Sequence, residues 1–291
     1  VDYNFLHQYS KDYEKLKKHL LKKSQTWASK VCGVKKEEIH KLANLISKTK
    51  KVFIRLGYGF TRQRNGSFNM HAVTCIPTVI GAWKELGGGA FYNNGGIYNI
   101  DKTLIEGLNY KNSTIRELDQ SRIGPILNGD KSALQNKQLV KAIIIQNTNP
   151  LVVAPETLKV IKGFSRADLF TCVHEQFMTE TAKYADILLP ATSFVEHNDI
   201  YVSGGHQHLT LGPKLINELG DCWSNHKLIN ELSRRLGSKR KVFSYSEEQI
   251  IDKTLSLSNL GNLKDLKKKK FLDLQPKFNK SHFIDGFGHK D

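Results

Sequence analysis

Three short apolar runs, residues 142–145, 169–173 and 187–189, limit most tightly what this chain can fold into. Each is long enough for a buried parallel strand and too short for a helix. The first stops at Gln146-Asn147-Thr148-Asn149-Pro150, where Asn, Thr and Pro favour a turn. Pro155 then stands where a first helical residue belongs and Gly163 where a C-cap belongs, around apolar Leu158 and Ile161. The second run ends in His174-Glu175, and residues 179–184 read as a short helical turn before the third. Strand, turn, helix, strand is a βαβ unit, so the three runs are expected side by side in one parallel sheet. Ligands of such units bind beyond the carboxyl ends of the strands. That rim carries Asn147, Asn149, His174, Glu175 and the segment 192–197 with His197. Amides, a carboxylate and two imidazoles suit a flat polar ligand such as a nucleotide base. By spacing alone they fit equally an α/β domain with polar loops.

The string FTCVHEQFMTETAKYADILLPATSFVEHNDIY, with NTNP upstream, resembles the nucleotide-binding half of the molybdopterin oxidoreductase family, the dimethyl sulfoxide reductase superfamily. Members carry a run of the form D-x-F-x-T-E-T-A-x-x-A-D-I-x-L-P-A-x-x-x-x-E. This sequence matches it at Glu175, Phe177, Thr179 to Ala182, Ala185 to Ile187, Leu189 to Ala191 and Glu196, in order and without gaps.

Ahead of this stretch, residues 3–48 read as helical. Tyr13, Leu16, His19 and Leu20 form one stripe, and Ile39, Leu42, Ala43 and Ile46 another, as expected of packing helices. Residues 51–56 follow as an apolar strand, then the turn Gly57-Tyr58-Gly59, then Arg62 and Arg64, an amphipathic run over 70–83 and Gly87-Gly88-Gly89. A glycine turn after a strand with arginines close behind is either a tight turn or a pyrophosphate cradle. The resemblance extends over IRLGYGFTRQRNGSFNMHAVTCIPTVIGAWKELGGGAF, a family segment that contacts a pterin dinucleotide. It implies cofactor contacts at Leu56, Gly57 and Phe60, the last standing where some relatives use an amide side chain. It also implies that Gly57 to Gly59 face the rim of Asn147 and His174. His71 lies near the position where formate-oxidising relatives carry an arginine, which reads against formate oxidation. It is either a proton relay or a satisfied histidine under the cofactor.

Residues 93–136 read as loop, with Asp119 and Arg122 tying loops together. His206 and His208 alternate as on a strand, and with His197 they lack an acid or thiolate at ligand spacing, so no metal site is expected. The resemblance assigns this region to the family pattern E-x-x-G-x-x-x-N-x-x-x-R-x-Q. Asn198-Asp199 replaces its glycine and His206 its arginine. Residues 225–236 form an amphipathic pattern with Leu228, Ile229, Leu232 and Leu236 inward, Gly237 as stop and Asn225 as N-cap. Relatives place a dinucleotide-contacting acid or amide at Asn225. Residues 250–255 suggest a further helix and 264–280 a basic connector.

The formal charge of +16 raises nucleic acid as a partner. The lysines are dispersed on helical faces, 267–270 being the only dense run, so solvated faces are the preferred reading and no nucleic-acid partner is expected. Four scattered cysteines, Cys32, Cys75, Cys172 and Cys222, read as small buried hydrophobes in a reducing, cytoplasmic setting and cannot hold an iron–sulfur cluster. No apolar run is long enough for a membrane segment.

The expected fold class is α/β: two Rossmann-like lobes with parallel sheets behind a helical amino-terminal segment, as in the formate dehydrogenase and dimethyl sulfoxide reductase core. The expected segments are 1–140 (helices and first lobe), 141–237 (second, dinucleotide-binding lobe) and 238–291 (connector). The resemblance covers about 3–255 and only the middle of a family member, so an internal piece, inactive alone, is expected. It implies the cofactor-binding core of an oxidoreductase using molybdopterin guanine dinucleotide with Mo or W, a small-molecule substrate and an unidentified electron-transfer partner. An iron–sulfur cluster and the protein ligand to the metal are expected in an amino-terminal region outside the chain, and a barrel-like pterin-binding domain beyond its other end. The alternatives are a non-catalytic structural homologue within a respiratory complex and a basic nucleic-acid-binding protein.

Overall fold

The computed structural model describes residues 1–275, so the expected connector is covered only up to there. The chain divides into two compact units, one holding Val1–Ile97 and Gly204–His206, the other Tyr98–Ser203 and Gln207–Leu274.

The first unit opens with four helices, α1 (Tyr3–Tyr9), α2 (Tyr13–Leu20), α3 (Gln25–Cys32) and α4 (Lys36–Lys48), where the periodicity places them. Side-chain caps start two of them: Asp2 accepts from the Phe5 N–H at 3.0 Å and Ser24 from the Trp27 N–H at 3.1 Å. Helix α1 buries Phe5 and Leu6, whereas α2, α3 and α4 bury no residue. Within the two stripes Tyr13, Leu16, Ile39 and Ile46 are half-buried while Leu20 and Leu42 are 51 and 58% exposed, so the packing expected of these helices is realised only in part. Cys32 at the end of α3 is likewise exposed rather than a buried hydrophobe. Strand β1 (Phe53–Arg55) leads through a short turn into α5 (Gly66–Val79) and then β2 (Gly89–Phe91), which pairs in parallel with β1. This is a βαβ unit whose second strand begins in the glycine run, at Gly89. Gly66 is required where the turn closes on α5: a Cβ there would lie 2.6 Å from the Phe60 carbonyl oxygen.

In the second unit α6 (Thr103–Glu106) and α7 (Ile123–Leu127) break up the segment read as loop. Asp119 caps the turn before α7 through the Ser121 N–H at 2.9 Å, and Arg122 reaches Asp130 at 3.4 Å, a loop tie as expected. Then come β3 (Ala142–Gln146), α8 (Pro150–Val153), α9 (Thr157–Phe164), β4 (Phe170–Glu175) and β5 (Ile187–Pro190). The three strands lie in the order β3-β4-β5, all parallel, with Ile145 opposite Val173 and Val173 opposite Leu188. Helices α7 and α9 cover one face, burying Leu127, Val160 and Phe164 against Ile145 and Val173. Pro150, not Pro155, takes the first helical position, and Gly163 lies inside α9 rather than at its cap. The reason is packing: a Cβ on Gly163 would stand 2.5 Å from the Leu127 Cβ, so α7 and α9 approach closely only because it is glycine.

The remaining elements are β6 (Asp199–Tyr201), β7 (His208–Gly212), α10 (Asn225–Arg235), α11 (Glu247–Leu257), α12 (Leu263–Lys269) and β8 (Phe271–Asp273). Strands β6-β7-β8 form an antiparallel sheet whose Leu209 packs with Ile251 and Leu255 of α11 and Leu263 and Leu266 of α12. Residues 264–273 are thus helix and strand within a core, not connector. Helix α10 is capped by Ser224, which accepts from the Lys227 N–H, while Asn225 is its first residue. Ile229, Leu232 and Leu236 are 44, 41 and 78% exposed, so the inward stripe expected of α10 is not realised. Contacts cut the chain at places other than 140/141 and 237/238, because α7 packs on α9 and α11 with α12 packs on β7. Among the described residues no helix is long and apolar enough to cross a membrane.

Candidate functional site

At the carboxyl ends of β3 and β4 the second unit holds a cavity of about 520 Å³. Asn147, Asn149, His174, Glu175, His197 and Asn225 all line it, together with Asp199, Tyr201 and Trp223, which the sequence did not single out. Its position follows from the fold: each parallel strand ends at the same rim, and the polar turn after it becomes wall.

Several of these side chains are committed to one another. Asn147 turns the chain out of β3 with φ +57°, a conformation that asparagine tolerates better than most residues. The Asn149 Oδ1 accepts from the Thr181 hydroxyl at 2.6 Å, and that hydroxyl accepts from the Leu151 N–H at 3.1 Å. Asn149 therefore pins the start of α8 to the turn before β5. His174 is buried, with Nε2 3.0 Å from the Trp223 carbonyl oxygen. A carbonyl only accepts, so the Nε2 carries the proton and Nδ1 faces the Gln146 amide at 3.4 Å. Gln146 in turn donates to the Asn225 Oδ1 at 2.7 Å. Both nitrogens of His174 are used inside the protein, and the chain of contacts ends on Asn225.

Glu175 is half-buried, and its Oε1 accepts from the Gln176 N–H at 2.7 Å. Thr192 shares a hydrogen bond with the His197 Nδ1 at 2.9 Å. Glu196, the last residue of the family run, is buried and accepts from the N–H groups of Ser193 at 2.6 Å and Leu219 at 2.7 Å. It ties two loops. Burial pushes the carboxyl of Asp199 above the usual carboxylate range, partly opposed by the Ile200 N–H. Burial, then the Asp199 charge, raises the hydroxyl of Tyr201, whose oxygen has no hydrogen-bond partner. Its ring lies against Gly212, where a Cβ would come within 2.0 Å. Asp199 and Tyr201, two apart on β6, point to the same side. That alternation is the one local signal that placed them together. Trp223 had none, being far in sequence from the strands it meets.

The other named residues belong to the first unit. Leu56 is buried and its N–H bonds the Phe91 carbonyl at 2.8 Å, extending the β1–β2 ladder. Gly57 has open space where a side chain would go, and Phe60 ends the turn Tyr58–Phe60 half-buried. Beside them Arg55 lies over the Phe91 ring at 4.9 Å and bonds the Tyr92 carbonyl. His71 is exposed on α5. His206 falls in the first unit and His208 on β7 in the second. Among the described residues no three His, Cys, Asp or Glu side chains stand grouped to hold one ion.

Comparison with known proteins accords with this geometry. The family model described as molybdopterin oxidoreductase matches residues 14–235. The probable oxidoreductase YoaE of Bacillus subtilis is 35% identical over 255 residues, covering 87% of this chain and 37% of that protein. A trimethylamine-N-oxide reductase of Haemophilus influenzae is 27% identical over 81% of this chain and 32% of its own length. The fold matches acetylene hydratase from Pelobacter acetylenicus with a TM-score of 0.69 at 16% identity, over 94% of this chain and 42% of that one. The chain thus spans about a third of the curated relatives it matches. With the parallel βαβ frame, the strand-end cavity and a family match across most of the chain, this protein belongs to the molybdopterin oxidoreductase family.

Proposed function

We propose that the strand-end cavity binds the guanine end of a molybdopterin guanine dinucleotide, and that the chain is the cofactor-binding core of an oxidoreductase acting on a small molecule. Family membership implies a molybdenum or tungsten pterin cofactor. The nucleotide form is our reading of the cavity. The observation that carries it is the set of polar groups left over once internal bonds are counted. Glu175 keeps one carboxylate oxygen, and Asn225, its Oδ1 taken by Gln146, keeps its amide N–H groups. A carboxylate accepts from the ring N–H and exocyclic amine of guanine, and an amide donates to its exocyclic carbonyl oxygen. Adenine offers no such pair of donors on that edge. The volume of about 520 Å³ suits a nucleoside, and Tyr201 and Trp223 supply flat aromatic walls. In this reading His174 and Asn149 shape the cavity through their internal bonds. Leu56, Gly57 and Phe60 are the first unit's own contacts to the cofactor. Bound metal in this family exchanges an oxo group or hydride equivalent with substrate; the residues described here bind and orient.

Titration with guanosine and adenosine 5′-monophosphates tests the reading. Guanosine monophosphate is expected to bind more tightly. Glu175→Gln should weaken it by about 1–3 kcal/mol, since an acceptor becomes a donor facing a donor. Equal affinity for both bases, or no loss in the variant, overturns it.

A further inference from the structure

A second cavity, about 820 Å³, opens along the last turns of α10 and the loop that follows. Six of its thirteen lining residues are Lys or Arg, namely Lys227, Arg234, Arg235, Lys239, Arg240 and Lys241. The chain as a whole has 44 in 291, so the cavity is about threefold enriched over the dispersed background. One carboxylate, Glu231, lines it, and both oxygens are taken by Arg234 (2.6 and 2.9 Å) while Arg235 shares one at 2.9 Å. Four cations then remain. Arg240 is held over the Tyr110 ring at 3.9 Å and Lys227 over Trp223 at 4.9 Å, so two have fixed positions. Lys239 and Lys241 flank Arg240 in sequence and are exposed, with no ion pair among the described residues. Two of the carbonyls at the end of α10, those of Ser233 and Arg234, accept from the N–H groups of Ser238 and Gly237.

We infer that this groove is a second binding site, for a small oligophosphate such as the diphosphate of a nucleotide. The size lies in the range of small-ligand sites, and concave walls carrying several cations of one sign focus on compact polyanions rather than on flat surfaces. One guanidinium and two ammonium groups on the same cavity wall suit a compact polyanion, the guanidinium binding phosphate oxygens in a fork and the ammonium groups as point charges. Nothing in this inference depends on what the strand-end cavity binds.

Calorimetric titration of the chain with inorganic pyrophosphate, at moderate salt, tests it. One saturable equivalent is expected, and Lys239→Gln with Lys241→Gln should weaken it by about tenfold or more, hydrogen bonds to charged groups carrying about that factor each. Lys268→Gln with Lys269→Gln on α12 removes the same charge elsewhere and should change affinity little. Glu175→Gln should leave pyrophosphate binding intact. Equal loss in both lysine pairs, or binding without saturation, means general attraction to a basic chain and overturns the site. Loss in the Glu175 variant also overturns it, by placing the anion in the other cavity. The four substituted lysines are exposed, and circular dichroism of each variant verifies the fold.

Discussion

At the scale of single residues, the site depends on a relay that no local pattern announces. Asn147, Glu175 and Asn225 were legible because each stands at a strand end or helix start with chemistry that rims carry. Gln146 was not, since its partner Asn225 is 79 positions away and the pairing exists only in the fold. The role expected of His174 changed for the same reason: a histidine at a strand end looks available until the Trp223 carbonyl is found on its ring. If Gln146 aims Asn225, Gln146→Leu should weaken guanosine monophosphate by roughly 1 kcal/mol, the net worth of one hydrogen bond. Adenosine monophosphate should be indifferent. A denaturation midpoint that drops without any change in base preference would show Gln146 to be a structural brace alone.

At the scale of elements, the parallel strands were read correctly because short β-branched runs between turn residues have few other solutions. Strand β2 was not read from the sequence because it starts at Gly89, where φ is +106° and a Cβ would strike Trp83 at 2.5 Å, so the glycine marks a close approach of chain to ring. The stripes on α2, α4 and α10 reported helical period faithfully. They say nothing of what covers a stripe, and here much of it is exposed. Gly163 gives the sharpest test of packing against propensity. In an open helix Gly→Ala stabilises by up to about 1 kcal/mol. In α9 the new methyl meets Leu127 at 2.5 Å, so Gly163→Ala should instead destabilise by about 1–3 kcal/mol, read as a lower urea midpoint. A higher midpoint would mean that α7 can move away at no cost.

For the whole molecule, charge sets the response to acid. Arg166 and then Lys141 hold the Asp168 carboxyl well below the usual range, and Arg234 and then Arg235 hold Glu231 at about 2. Such groups stabilise the fold above their unfolded values near 4, and that contribution is lost as pH falls through the folded values. Asp199 acts in the opposite sense, because its raised folded value makes its charge unfavourable near neutrality and protonation relieves it. The urea midpoint should therefore rise slightly as pH falls toward the ordinary aspartate value near 4 and then fall steeply below it, as a chain already carrying +16 loses its carboxylates. Asp199→Asn should abolish the shallow rise and leave the acid limb in place; an unchanged rise assigns it to another group. Finally, Trp223 lines each of the two cavities described above, its carbonyl fixing the histidine and its ring lying beneath Lys227. Ligands in two cavities that share a residue are coupled by whatever free energy that residue transmits between them, and that coupling is the same whichever ligand binds first.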